Sequence, residues 1–202
     1  MTQEQLSKVL FPLGEKAKGE VRQVAERFGL RVAQKRDSQE ICFVPENDYR
    51  KFVERRNGES IGQPGEIINR QGKRLGHHRG IYSYTIGQRR GLGIASPRPL
   101  YVLALDVEKN CVIAGEREEL MTSGLVAARL NWISIPKLEE KMECQVQIRY
   151  RHPGAPGILT PLEGGKIEVE FQNPQRGITP GQAAVFYLGD EVVGGGWIEK
   201  AL

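Results

Sequence analysis

Between Met142 and Arg151 the chain alternates without a break. Met142, Cys144, Val146, Ile148 and Tyr150 fall on one parity, and Glu143, Gln145, Gln147, Arg149 and Arg151 on the other. A period of two belongs to a strand and not to a helix, so this stretch predicts a strand with one buried and one wet face. A strand of that kind needs neighbours for both edges. The flanking sequence supplies them: Ile167, Val169 and Phe171 repeat the pattern after Gly164-Gly165, and Val185 and Tyr187 precede the turn Gly189-Asp190. Upstream, Gly65 to Ile68 and Arg74 to Leu75 flank Asn69 to Gly72, while Tyr101 to Leu105 and Cys111 to Ala114 flank Asp106 to Asn110. Each set reads as a hairpin. Short strands at this spacing predict a mainly β chain whose residues 121–202 form a small antiparallel β-barrel and whose residues 37–120 form a mixed, β-rich central domain.

The first 36 residues have a different texture and predict a helical segment. Thr2 followed by Gln5 has the form of a capping box, and Leu6, Val9 and Leu10 repeat at helical spacing up to Pro12. Gly19 to Phe28 sets Val21, Val24, Ala25 and Phe28 on one face, with Gly29 as the carboxyl cap. Leu30 to Ala33 reads as a brief strand, and Asn47 to Arg56 as one more helix with Tyr49, Phe52 and Val53 as its apolar stripe.

A chain of 202 residues with 39% hydrophobic and 27% charged residues is an ordinary globular composition. No run of eighteen apolar residues occurs, which argues against a membrane span, and the opening MTQEQLSKVLFPLGEK lacks the pattern of a secretory leader. A cytoplasmic location is the expectation. Three widely spaced cysteines, Cys42, Cys111 and Cys144, fit neither a disulfide framework nor a metal-ligand cluster, so reduced thiols and no metal site are expected. The net charge of +4 is unevenly spread: Ile67 to Leu105 carries seven bases (Arg70, Lys73, Arg74, Arg79, Arg89, Arg90 and Arg98) and no acid. Such a segment suits a polyanionic partner, and it equally suits a solvated, loop-rich surface.

Several constellations bear on chemistry. Gly87-Gln88-Arg89-Arg90-Gly91-Leu92-Gly93 is glycine-rich and basic but matches neither GxGxxG nor GxxxxGK[ST], so it is not read as a nucleotide loop. It does suit a phosphodiester backbone. Tyr82 and Tyr84 would share one face of a strand, either as core rings or as stacking platforms. The adjacent His77 and His78 would point to opposite faces and so would not share a metal. Cys42, between Ile41 and Phe43 and near Lys35 and Arg36, is open to two readings: a small buried hydrophobe or an activated thiolate. Arg149, Arg151 and His152 lie in an acid-free stretch from Cys144 to Leu162, and Gln182 follows the turn Thr179-Pro180-Gly181, where its amide can meet a base edge or a ribose.

Taken in order, Leu10-Phe11-Pro12-Leu13-Gly14, Asp37-Ser38-x-x-Ile41-Cys42-Phe43, Gly76-His77-x-x-Gly80, Gly87 to Gly93, Arg149-Tyr150-Arg151 and Thr179 to Tyr187 resemble the tRNA-specific 2-thiouridylase family. The resemblance runs over essentially the whole chain. It implies an ATP-dependent sulfurtransferase that replaces the 2-oxygen of the wobble uridine in tRNA. By the same resemblance Cys42 matches the cysteine that carries sulfur as a persulfide, and ends each cycle in a disulfide with a second cysteine.

The resemblance further implies that Arg149, Tyr150 and Gln182 touch tRNA, and that the barrel is like those of translation factors. On charge and position, Arg79, Arg89, Arg90 and Arg151 join the candidate tRNA-binding residues. Partners implied are tRNA and a persulfide donor, either a cysteine desulfurase or a sulfur-relay protein. The family's ATP loop, SGGxDS, and its first catalytic cysteine have no match here. The expectation is therefore a chain that begins as the ATP-binding domain ends, holds no ATP itself and is inactive alone. Two other readings stand beside this: a self-standing RNA-binding module, and a purely structural pair of β-domains.

Overall fold

The computed structural model describes residues 1–35, 44, 52–53, 55–56 and 62–202. Ten strands dominate them: β1 (Gly65–Ile68), β2 (Arg74–His78), β3 (Tyr101–Asp106), β4 (Cys111–Gly115), β5 (Met121–Trp132), β6 (Met142–Gln147), β7 (Ala155–Leu162), β8 (Lys166–Arg176), β9 (Ala183–Leu188) and β10 (Glu191–Ala201). The last six close into a barrel in the order β10-β5-β8-β7-β6-β9, with every pair antiparallel. Closure leaves no unpaired edge to be covered. The inward parity of each strand fills the interior, with Leu125, Ala127, Val146, Ile148, Leu159, Ile167, Val169, Ala184, Phe186, Val193 and Ile198 all buried. On β9 the inward residues are Ala184 and Phe186, while Val185 and Tyr187 are half-buried on the other face. The Phe186 ring meets Trp132 at a centroid distance of 5.9 Å.

The first four strands form a separate mixed sheet in the order β2-β1-β4-β3, in which β1 runs parallel to β4 and the other pairs are antiparallel. Ile67, Val102, Val112 and Ala114 make its core, and Leu92 drops into it from the long connection between β2 and β3. His78 pins three strands together. Its Nδ1 accepts the Gly80 N–H at 3.1 Å, so Nε2 carries the proton and donates to the Asn110 carbonyl at 3.0 Å. Gly65 is required beneath it, because a Cβ there would land on that carbonyl oxygen and on the imidazole ring. His77 is exposed on the opposite face.

The two sheets are joined by one short 3-10 turn, Arg117–Leu120, that runs directly into β5. Leu120 is buried, its carbonyl accepts the Gly177 N–H at 3.1 Å, and Arg70 donates to the Glu119 carbonyl at 3.0 Å. The joint is thus bonded to both sheets.

At the amino end, α1 is Gln3–Leu6 with the expected Thr2–Gln5 capping box, and α2 is Lys18–Arg27 with Gly29 at φ 66° beyond it. Neither helix buries a residue fully, and Phe28 on the apolar stripe is 77% exposed. Leu30 to Ala33 is not a strand: the Ala33 N–H bonds back to the Leu30 carbonyl and closes a turn. Tyr82 and Tyr84 also lie off any strand. Ile81–Ser83 is a 3-10 turn, and Tyr84 packs edge-on against His78. Phe52, Val53, Arg55 and Arg56 are helical, while the rest of the predicted Asn47–Arg56 helix lies outside the described residues.

Emptying the Phe186 site tests the barrel assignment. Phe186→Ala is expected to cost ~3–5 kcal/mol, because no flexible neighbour refills a fully buried aromatic site. Val192→Ala, on a side chain that is 37% exposed and outside the barrel core, should stay within about 1 kcal/mol. Urea denaturation followed by tryptophan fluorescence measures both, and equal shifts would refute the inward assignment of β9.

Candidate nucleic-acid interface

The alternating sequence pattern continues to Arg151, but strand β6 ends at Gln147. The reason is local. The Gln147 amide nitrogen donates to the carbonyls of Tyr150 (3.3 Å) and His152 (2.6 Å), and its oxygen accepts the Tyr187 hydroxyl at 3.4 Å. The His152 N–H returns to the Arg149 carbonyl at 2.9 Å. These bonds fold residues 149–152 into a tight turn. The His152 side chain, which is buried, fastens the turn to the barrel: Nδ1 accepts the Gly154 N–H at 3.3 Å, and Nε2 donates to Gln175 Oε1 at 3.1 Å.

The turn aims its side chains outward. Tyr150 sits on the inward parity of the sequence pattern yet is 95% exposed, and Arg151 is exposed beside it. Arg149 is half-buried and donates to the Arg176 carbonyl at 2.9 Å. Burial, and then the Arg176 charge, lower its pKa from the usual guanidinium range. Neither Arg149, Arg151 nor Arg176 forms an ion pair with any described residue.

A small hollow of about 160 Å³ lies next to this turn, where Ile86 and Gly87 of the central sheet's long connection meet Arg149, Arg176, Gly177, Thr179 and Gln182 of the barrel. Gln182 reaches it from a Pro-Gly turn: Gly181 takes φ 84°, and the Gln182 N–H closes back on the Thr179 carbonyl at 3.2 Å. The Gln182 Oε1 atom is buried and accepts no hydrogen bond. A buried acceptor without a donor is uncommon.

The structure therefore gathers Arg149, Tyr150, Arg151 and Gln182 at one end of the barrel, and adds Arg176, which sequence reasoning missed. Its signal was faint: a lone base at the end of β8, three residues before the Thr179-Pro180-Gly181 turn. Arg89 and Arg90 are exposed on the glycine-rich connection, whose ends are tied by Gly87 N–H to Val102 carbonyl (2.8 Å) and Val102 N–H to Gln88 carbonyl (2.9 Å). Arg89 and residues 91–100, but not Arg90, line a second, larger hollow of about 590 Å³. Arg79 is exposed just past β2 and lines neither hollow. Cys42 lies outside the described residues.

Three of the seven bases counted along Ile67 to Leu105 are matched by acids just outside that stretch. Arg70 pairs with Glu119, Arg74 with Glu66 and Arg98 with Glu116, at 3.6, 3.4 and 2.8 Å. Lys73, Arg79, Arg89 and Arg90 remain without an acidic partner among the described residues. The other cysteines are packed rather than poised: burial pushes the Cys144 thiol up to about 11, and Cys111 Sγ donates to the Lys109 carbonyl. Among the described residues no three His, Cys, Asp or Glu side chains converge as a metal site. The loop Gly87 to Gly93 leads into irregular chain and not a helix, so it lacks the helix amino terminus that would receive a nucleotide's phosphates.

The His152 anchor carries a pH signature. Burial pushes its pKa down, the Gln175 hydrogen bond opposes this, and the Arg149 charge reinforces it. With the folded pKa below the unfolded one, the unfolded chain takes up more protons in acid. Stability is then complete above about pH 6.5 and is lost as pH falls through the folded pKa. Urea midpoints measured from about pH 7 down to about pH 5 should fall less steeply for His152→Gln than for the wild type. Parallel slopes would refute the anchoring role.

Residues 1–46 match the family described as tRNA methyl transferase HUP domain, 50–116 the tRNA methyl transferase PRC-barrel domain, and 122–198 the Aminomethyltransferase beta-barrel domain. The chain is 56% identical over 203 residues to the tRNA-specific 2-thiouridylase MnmA of Geobacter metallireducens, a match covering 100% of this chain and 54% of that protein. It is 53% identical over 198 residues to the protein of the same name from Syntrophotalea carbinolica, covering 98% and 56%. With the tRNA-specific 2-thiouridylase MnmA 2 of Syntrophus aciditrophicus it shares 49% over 220 residues, covering 99% and 64%. The chain thus spans between about half and two thirds of the length of these curated relatives. Likeness at this level from one end of the chain to the other, with the barrel and mixed sheet it requires, places the chain in the tRNA-specific 2-thiouridylase family.

Proposed function

We propose that this chain is the tRNA-gripping and sulfur-carrying part of an enzyme that thiolates the wobble uridine of tRNA at C2. The observation that carries the reading is the barrel end: a nearly fully exposed Tyr150 among guanidiniums that no acid neutralises, beside a buried Gln182 oxygen with no donor. An exposed ring held by a rigid turn offers a stacking face for a base, and unpaired guanidiniums offer contacts for phosphates. A uridine has to leave its stack before its C2 can be reached, so the anticodon arm must be held while one nucleotide is extruded. Arg149, Tyr150, Arg151 and Gln182 supply that hold, with Arg89 and Arg90 extending it and Arg79 further out.

Cys42 is the sulfur carrier in this reading. A persulfide's outer sulfur is a stronger nucleophile at neutral pH than an ordinary thiol. As it bonds to C2 the activated oxygen leaves from C2. The Cys42 S–S bond is cleaved, before or after that attack, by the thiolate of the second cysteine the resemblance implies, leaving a disulfide that a thiol reductant resets. Donors of the persulfide are a cysteine desulfurase or a sulfur-relay protein, and the cytoplasm is where both would meet tRNA. The uracil oxygen is a poor leaving group and needs activation, for which the family resemblance implies ATP. The described residues do not fit ATP, since their one glycine-rich basic loop opens no helix and matches no phosphate-loop spacing. No activation step is assigned to them, and residues 1–36 are read as the edge of the domain that performs it.

Incubation with a cysteine desulfurase and labelled cysteine should load sulfur on the wild-type chain and not on Cys42→Ser. Binding of an unmodified substrate tRNA should weaken steeply with salt, and Arg149→Ala should flatten the log–log slope by about 0.7–0.9, the share of one phosphate. Labelling that persists in Cys42→Ser would leave an RNA-binding module without sulfur chemistry. No tRNA binding at low salt would remove the RNA reading altogether.

A further inference from the structure

The wall of the barrel carries an apolar hollow of about 270 Å³ that neither the core nor the rim uses. Trp197 of β10 lines it and is 47% exposed, an open position for the largest apolar ring. Ala183 and Val185 of β9 and Arg129 of β5 lie beside it, and no acid lines the hollow. Asn131 is there too, but its amide nitrogen already donates to the Met1 carbonyl at 3.2 Å.

Arg129 is the more telling residue. Its Cζ lies 5.6 Å from the centre of the Trp197 ring, within cation–π range, and it forms no ion pair with any described residue. Its backbone φ is 50°, a left-handed conformation that strains an arginine and suits a glycine. The pairing of β10 with β5 slips between Gly195 and Trp197, and such a bulge accounts for the conformation. It does not account for the arginine, whose strain is repaid only if the side chain has a use. What that side chain supplies is an unneutralised cation against an open indole.

The hollow is also continuous with the rim. Ala183 directly follows Gln182 and pairs with Trp197, and Val185 pairs with Gln147, the residue that holds the Tyr150 turn. An aromatic ring beside a free guanidinium fits a nucleotide, with the base on the ring and a phosphate on the cation. A neutral apolar peptide would use the ring and leave the guanidinium without a partner.

We infer that Trp197 and Arg129 form a second nucleotide contact on the barrel wall, in which a base of the tRNA stacks on the indole and a neighbouring backbone phosphate takes the Arg129 guanidinium. The inference rests on the tRNA-binding reading above and extends it: the RNA continues from the rim along β9 and β10 instead of ending at the Tyr150 turn.

The test is titration of the chain with unmodified substrate tRNA, followed by tryptophan emission. The chain has two tryptophans, and Trp132 is half-buried against Phe186, so a base stacked on Trp197 should quench the exposed reporter. Trp197→Phe keeps a stacking ring without the reporter, and the quenching should vanish. Trp197→Ala should lower affinity about tenfold, the size of one base–aromatic stack. Arg129→Gly suits the left-handed backbone, so it should fold as the wild type does while its salt slope falls by about 0.7–0.9. Thermal unfolding of each variant separates lost contacts from lost structure, and the quenching on the wild-type chain needs no variant to fold. The second contact is refuted, and the tRNA reading stands, if the wild type binds tRNA without quenching or if quenching persists in Trp197→Phe. Undiminished affinity in Trp197→Ala, or an undiminished slope in Arg129→Gly, refutes it equally. Should Trp197→Ala bind tRNA normally yet lose sulfur loading from a cysteine desulfurase, the hollow is a protein-docking face instead. If the wild type binds no tRNA at low salt, the tRNA reading itself has failed.

Discussion

Closure of the barrel decides which parts of the chain can meet. With six strands alternating in direction around a ring, the end of β6, the start of β7, the end of β8, the start of β9 and the start of β5 are all obliged to lie on one rim. Arg149 follows β6, Arg176 ends β8, Gln182 precedes β9, and the joint from the central sheet enters at the start of β5. Residues far apart in sequence are therefore neighbours in space for a topological reason. The joint brings the central sheet's Ile86 and Gly87 to that same rim.

Charge at this rim runs against what folding alone would favour. On the central sheet Arg70, Arg74 and Arg98 have glutamate partners, each pair exposed enough to add little to stability, while Arg79, Arg89 and Arg90, without an acidic partner among the described residues, are exposed to solvent. At the rim Arg149 is partly desolvated beside Arg176, and its lowered pKa reflects that double cost. The offsetting hydrogen bond from Arg149 goes to a backbone carbonyl, which holds the guanidinium in place without cancelling its charge. An arrangement that keeps charge unneutralised and oriented is suited to a phosphate.

Much of the scaffold was legible because its signal is local. The two upstream hairpins, the capping box of α1 and the inward parity of β6 and β8 all follow from turn residues and period-two patterning. The failures have physical causes. The alternation at Met142 to Arg151 runs past the real end of the strand, because the hydrogen bonds of Gln147 and His152 that turn the chain leave no mark in hydrophobic periodicity. Tyr150, placed inward by parity, is outward in fact. Counting charge along Ile67 to Leu105 overstated the free positive charge, since the neutralising glutamates lie outside the stretch in sequence and beside it in space. Arg176 was missed because only barrel closure brings it to Arg149. The reading of Cys42 as a sulfur carrier came from motif resemblance, as periodicity and composition left it open.

The rigidity of the 149–152 turn explains why an exposed tyrosine is worth holding there. A ring on a flexible loop would offer the same apolar surface, but each binding event would have to order the loop first, at a cost that subtracts from affinity. Here Gln147 holds two carbonyls of the turn, and His152 ties it to Gly154 and Gln175, so the turn is ordered by the protein's own bonds without any ligand. The same bonds hold Arg149 toward Arg176. The Tyr150 ring and the Arg149 guanidinium are thereby fixed relative to each other, as the proposed function needs, because the position of an extruded base has to be defined more than its affinity has to be high.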